Sequence, residues 1–143
     1  MQQLKIVLPL ICFVAFCQAH KWSRESINLP NFPKGPHSAA VREGYTMYVS
    51  GLHALNAANV SFADETREVL DQMRRLLQAG RMTLQNVAKT TVYLTNWNNY
   101  DEMNKIYREY FPENFPARSA LQVVRLPANA HVQIEAVAVN FDL

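Results

Sequence analysis

Two charged residues stand in runs that otherwise read as buried strand. Arg118 lies in NFPARSALQVV, just behind a Phe-Pro turn, and Glu135 lies in VQIEAVAV. Guanidinium is the side chain least willing to lose its charge, so placing it among apolar neighbours demands a partner. A carboxylate is rarely buried unpaired, and perturbed carboxyl groups gather at functional sites. The residues alone leave bland alternatives open. Arg118 could be a strand-end charge in water or part of a structural ion pair, and Glu135 an edge-strand residue whose head reaches solvent. The histidines suggest no metal centre: His37, His53 and His131 lack ligand spacing, and His20 would need a second placed histidine beside it.

The elements that must position these residues follow from periodicity. Pro30, Pro33 and Pro36 make residues 20–37 an extended lead-in with turns. AAVREGYTMYVSG reads as two strands, 39–42 and 46–50, joined through Glu43-Gly44 as a hairpin. From Ser61 the period changes. Ser61 can cap a helix with Asp64 and Glu65 in its first turn. Phe62, Val69, Met73, Leu76 and Leu77 then recur at helical spacing until Gly80, which predicts a helix over 62–79. NVAKTTVYLTN sets Ala88, Thr90, Val92 and Leu94 against Lys89, Thr91, Tyr93 and Thr95, a strand rich in β-branched residues. Asn99 opens a second helix whose stripe is Met103, Ile106, Tyr107, Tyr110 and Phe111, with Pro112 past its end.

Two strands, about 118–126 and 131–141, close the chain around PANA. If Leu126 pairs with His131, Arg118 and Glu135 share a face four residues apart, roughly 13 Å at about 3.4 Å per residue. Each would then need another partner, from a ligand, a water or a neighbouring subunit. A slip of one residue would put them on opposite faces. The order β-β-α-β-α-β-β describes an α/β (α+β) sheet with both helices on one face. An oligomer is the economical cover for the other face.

The chain of 143 residues carries a formal net charge of +2. MQQLKIVLPLICFVAFCQA has Lys5, an apolar run from Ile6 to Phe16, and small residues at Cys17 and Ala19. This pattern describes a secretory signal peptide, cleaved after Ala19, ahead of a single domain over 20–143. The run is shorter than the roughly 20 residues of a membrane span, and the alternative is a short anchor that stays attached. Export predicts a secreted protein without membrane attachment. Losing Lys5 takes the charge to +1, which offers no footprint for nucleic acid. Both cysteines, Cys12 and Cys17, lie in the leader, so the mature core would hold without disulfides. Asn59-Val60-Ser61 is a glycosylation sequon.

VAKTTVYLTNWNNYDEMNKIYREYF followed by FPARSALQVVRLPANAHVQIEAVAV closely resembles the Rid family of reactive-intermediate deaminases, also called the YjgF family. GPHSAAV and YTMYVSG resemble its N-terminal segments, so the likeness covers nearly all of residues 30–141. It implies a chorismate-mutase-like fold and a homotrimer with clefts between subunits. It also implies cofactor-free hydrolysis of enamines and imines such as 2-aminoacrylate, giving a 2-keto acid and ammonia, as in 2-iminobutanoate/2-iminopropanoate deaminases.

By motif, Arg118 stands at the family's substrate-carboxylate arginine, where a planar fork suits the acid better than lysine does. Glu135 stands at the glutamate that positions or activates water. Ser50 and Asn104 match pocket-lining positions; on their own they would read as a strand-end hydroxyl and a helix-side amide. Three positions depart from the usual pattern. His37 replaces the tyrosine of GPY, Leu52 replaces the glutamine of SGQ, and Ala120, whose backbone N–H remains available, stands where cysteine is frequent. These changes bear on substrate range. A non-catalytic carboxylate-binding or protein-interaction module is the rival reading, and a ribonuclease or translation inhibitor the third.

Overall fold

The computed structural model describes residues 24–140 apart from 31, 33, 34 and 56. The leader pattern, both cysteines and His20 therefore lie outside the described residues. The chain runs β1 (Glu25–Ile27), β2 (Ala40–Glu43), β3 (Thr46–Leu52), α1 (Phe62–Ala79), β4 (Val87–Leu94), α2 (Tyr100–Tyr110), β5 (Ala117–Gln122) and β6 (Val132–Val139). One six-stranded sheet has the order β1-β2-β3-β6-β4-β5. Strand β1 lies inside the predicted lead-in, pairing Ile27 with Ala40 at one sheet edge.

Helix α1 has the predicted bounds, and Ser61 Oγ accepts the Asp64 N–H as its cap. The stop works differently from the expected glycine signal. Arg81, at φ 59, takes the left-handed conformation, while Gly80 sits at φ −83. Gly80 is required for space instead: a Cβ there would lie 2.6 Å from Met47 Sδ and 3.2 Å from Ile27 Cδ1. Helix α2 is preceded by a 3₁₀ turn over Trp97–Asn99, and Asn96, not Asn99, caps that turn by accepting the Asn98 N–H. Ala88 leaves the alternation of β4 because the register shifts between Val87 and Lys89, which turns its methyl to solvent.

The predicted closing hairpin does not form. Strand β5 pairs in parallel with β4, and β6 inserts between β3 and β4, antiparallel to both. Val132, Ile134, Ala136 and Ala138 are all buried, and a strand so apolar belongs in the middle of a sheet. In β5 every residue but Arg118 and Ala120 is exposed, which suits an edge. A 3₁₀ turn over Pro127–Asn129, with Ala128 and Asn129 both at φ 54, carries the chain across β4 between them.

Both helices lie on one sheet face. Val69, Leu70, Met73, Leu76 and Leu77 of α1 and Met103, Ile106 and Tyr107 of α2 form the core with Met47, Leu52, Val92, Leu94 and Ile134. Tyr48, Lys89, Thr91, Tyr93 and Glu135 share the other face, over which no helix packs among the described residues.

Candidate active site

Arg118 is placed by register. It pairs with Thr90 across β4 and β5, and Thr90 is fully buried on the helix face, so Arg118 turns toward α2. Its Nη2 donates to Asn104 Oδ1 at 2.6 Å, and its Nη1 approaches Met103 Sδ at 3.8 Å. The guanidinium carbon sits 4.7 Å from the centre of the Tyr107 ring and 5.9 Å from that of Tyr100. Tyr107 is itself fixed: its hydroxyl is 2.8 Å from Thr90 Oγ1, and Phe111 stacks on it at 4.5 Å. Burial pushes the Tyr107 phenol pKa up, an effect partly offset by Thr90 and Arg118. On its outer side Arg118 faces a concavity of about 320 Å³, lined also by Asn104, Tyr107, Arg108, Phe115 and Pro116. Arg118 is thus no strand-end charge in water. An aromatic face and an amide hold it, with donor capacity left toward an open cleft.

The Thr90–Tyr107 bond makes a testable prediction. Tyr107→Phe should destabilise the protein by about 1–2 kcal/mol, because it strands a buried threonine hydroxyl. Adding Thr90→Val should recover most of that loss, since an apolar pair replaces both partners. Urea melts of the two variants check it; a double variant no more stable than Tyr107→Phe would count against the argument.

Glu135 pairs with Thr91, on the face opposite Arg118. Tyr93 donates to Glu135 Oε1 at 3.1 Å, and burial together with that carboxylate pushes the Tyr93 phenol pKa up, so it stays a donor. A second concavity, about 330 Å³, brings Glu135 together with Ser50, Tyr48, Lys89 and Thr91. Lys89 Nζ donates to Ser119 Oγ at 3.0 Å, and Ser50 Oγ donates to the Ser38 carbonyl at 2.8 Å. Sequence reasoning missed Lys89 and Tyr93 as site residues. Their signal was the alternation of β4, which sets both on one face, but only the β4–β6 pairing shows that Glu135 shares it.

The register of β5 and β6 overturns the shared face of Arg118 and Glu135. With β4 between them, the two strands are two spacings apart, roughly 10 Å, and the side chains leave opposite sides of the sheet. One chain therefore carries two half-sites, Arg118 with Asn104 and Glu135 with Ser50. The remaining candidates lie elsewhere. His37 is exposed, edge-on to Phe32 at 5.5 Å, and lines neither concavity. Ala120 pairs with Val92 and packs against the core, and Leu52 is a core residue rather than a pocket one. Asn59 is exposed in a 3₁₀ turn. Among the described residues no cluster of His, Cys, Asp and Glu could hold a metal ion. A larger concavity of about 560 Å³, between Arg74 and Tyr110, holds none of the candidate residues.

Glu65 was also missed. Expected only as a first-turn acid, it is fully buried and accepts the backbone N–H groups of His131 and Val132. Its other oxygen lies 2.8 Å from His131 Nδ1. The carboxyl group thereby anchors the start of β6, the strand that carries Glu135. Nearby, burial lowers the His53 pKa, an effect partly offset by a Gly51 backbone hydrogen bond and by Glu65.

Comparison with known proteins gives one consistent picture. The family described as Endoribonuclease L-PSP matches residues 29–140. A RutC family protein of Pyrococcus horikoshii is 37% identical over 122 residues, covering 80% of this chain and 97% of that protein. The human 2-iminobutanoate/2-iminopropanoate deaminase is 39% identical over 111 residues, covering 74% of this chain and 81% of the human protein. The crystal structure of a Rid-family protein of Yersinia pestis superposes with a TM-score of 0.77 at 33% identity, covering 82% of this chain and 100% of that one.

Proposed function

The chain belongs to the Endoribonuclease L-PSP (Rid) family, and from that premise we propose that it hydrolyses short-lived 2-imino and 2-enamino acids to 2-keto acids and ammonia. The observation that carries this reading is the preset Arg118 fork, held by Asn104 and Tyr107 and open to a cleft. In the proposed reaction Arg118 grips the substrate carboxylate and draws charge from the adjacent imine carbon. An enamine first reaches the imine by net proton transfer from nitrogen to its β carbon. Glu135 then takes a proton from water as the oxygen attacks the imine carbon and passes it to nitrogen. The new hydroxyl gives up its second proton by the same route as the C=O forms, the C–N bond breaks and ammonia leaves. The balance is one water consumed and one ammonia released per imine, with no redox change.

Two half-sites on opposite faces of one sheet cannot serve one substrate within a chain. Docking the β5 edge of one protomer on the uncovered face of the next would unite them. This supports a homotrimer with clefts between subunits, a cover the exposed Tyr48 and Leu121 also favour. The same proposal includes export, on the leader pattern of residues 1–19. The family's description motivates a ribonuclease reading, but the full chain carries a formal net charge of only +2, and Arg67 and Arg74 are already paired with Asp64, Glu109 and Asp71. That leaves little for a phosphate backbone to exploit.

The test uses protein collected from the medium of a secreting host, with a mass matching residues 20–143. 2-Aminoacrylate is generated enzymatically and its decay followed with and without this protein. Accelerated decay with ammonia release is expected. Decay at the spontaneous rate would sink the enzyme and leave a carboxylate-binding module.

A further inference from the structure

The Arg118 concavity contains a second cation that the proposed reaction does not use. Arg108 lies one helical turn beyond Asn104 on α2, and both line the same space of about 320 Å³ as Arg118. The lining holds two arginines and no carboxylate. Other helix cations divide. Arg67 is bonded to Glu109 and Asp64, and Arg74 to Asp71, whereas Arg108 is exposed and makes no ion pair or hydrogen bond among the described residues. Arg75 and Lys105 are likewise exposed with no ion pair among the described residues, but neither lines this concavity. Its position in the last turn of α2 favours a positive charge through the helix dipole, but that would be served equally by a cation facing away from the cleft.

Resting on the imine-hydrolase reading, we infer that Arg108 recognises a second acidic group, and that the preferred substrates are dicarboxylic 2-imino acids. Arg118 holds the carboxylate beside the imine carbon, and Arg108 takes the one at the far end of the side chain. Phe115 and Pro116 form an apolar wall, suited to the short methylene link between them. An unpaired guanidinium can give an incoming carboxylate two parallel donors, so its contribution should be large for diacids and small for monoacids. The reaction is unchanged: water adds to the C=N carbon and ammonia leaves, with the distal carboxylate a spectator.

The experiment compares 2-ketoglutarate with 2-ketobutyrate by calorimetry, on wild type, Arg108→Gln and Arg108→Lys. Wild type should bind the diacid about tenfold or more tightly than the monoacid. Arg108→Gln should erase that preference while leaving 2-ketobutyrate binding within about twofold, and Arg108→Lys should restore part of it. Equal affinities in wild type, or a preference that survives Arg108→Gln, overturns the inference. In parallel, an oxidase generates the imines of aspartate, glutamate and alanine, and semicarbazide traps what the enzyme leaves. A rise in KM confined to the diacid imines is expected for Arg108→Gln. Binding preference without acceleration of any imine would remove the hydrolase reading and leave Arg108 as a diacid-selecting residue. Turnover without the preference would do the reverse.

Discussion

Arg118→Lys should lower kcat/KM for 2-aminoacrylate about 100-fold, and Arg118→Ala about 1000-fold, with the fold intact. Lysine keeps the charge but replaces a planar fork with a point charge. Arg118 Nη2 is committed to Asn104 and its face to Tyr107, so the side chain is oriented before substrate arrives. An ammonium could reach Asn104 or the substrate carboxylate but could not span both. Losing one charge-assisted hydrogen bond costs about 1.5–3 kcal/mol, and alanine loses two together with the positive charge. At about 1.4 kcal/mol per decade these losses give the stated factors. In the proposed reaction Arg118 would also stabilise charge that develops as water attacks, so kcat should fall as well as KM rise. Steady-state kinetics check this, with circular dichroism to confirm folding. An Arg118→Lys enzyme within threefold of wild type would remove the bidentate clamp from the mechanism.

What could be read from the sequence divides along a physical line. Both helices and the β2–β3 hairpin came from local periodicity, capping and turn chemistry, and each stands within a few residues of its expected place. The partner of β5 did not, because chain neighbours joined by a short proline turn look like a hairpin whatever the rest of the sheet requires. The competing demand is non-local: β6 is apolar enough to need a strand on both sides. That demand sent β6 between β3 and β4 and left Arg118 on an edge. The identity of Arg118 and Glu135 as outliers was legible from composition alone, and their geometry was not. Their separation onto opposite faces depends on the one strand between them.

Glu65 shows the same limit from another side, since an acid in a first helical turn reads as a solvated dipole partner. The β3–β6 ladder ends at Leu52 with Ile134, whereas β4 continues alongside to Val132. Beyond Ile134, β6 therefore lacks a strand on its β3 side, so the Val132 N–H needs another acceptor, and the His131 N–H, in the bend before the strand, uses the same one. Glu65 Oε1 takes both, at 2.6 Å from His131 and 3.2 Å from Val132. Glu65→Ala would leave the Val132 N–H orphaned in the core, free the His131 imidazole and open a small void. Each buried orphan costs about 1–3 kcal/mol, and the void adds to it, so a loss of about 4 kcal/mol is expected. With a urea m-value of about 2 kcal/mol/M, the unfolding midpoint should drop by about 2 M. Glu65→Gln keeps an acceptor oxygen and should lose less than half as much. His131→Ala, which removes the imidazole but keeps its backbone N–H, should be the mildest of the three. The melts are compared at one fixed protomer concentration, because any assembly makes stability concentration-dependent. A Glu65→Ala midpoint within about 0.5 M of wild type would mean that water or a rearranged loop satisfies those N–H groups. The carboxyl group would then have no part in holding β6, or in placing the Glu135 that strand carries.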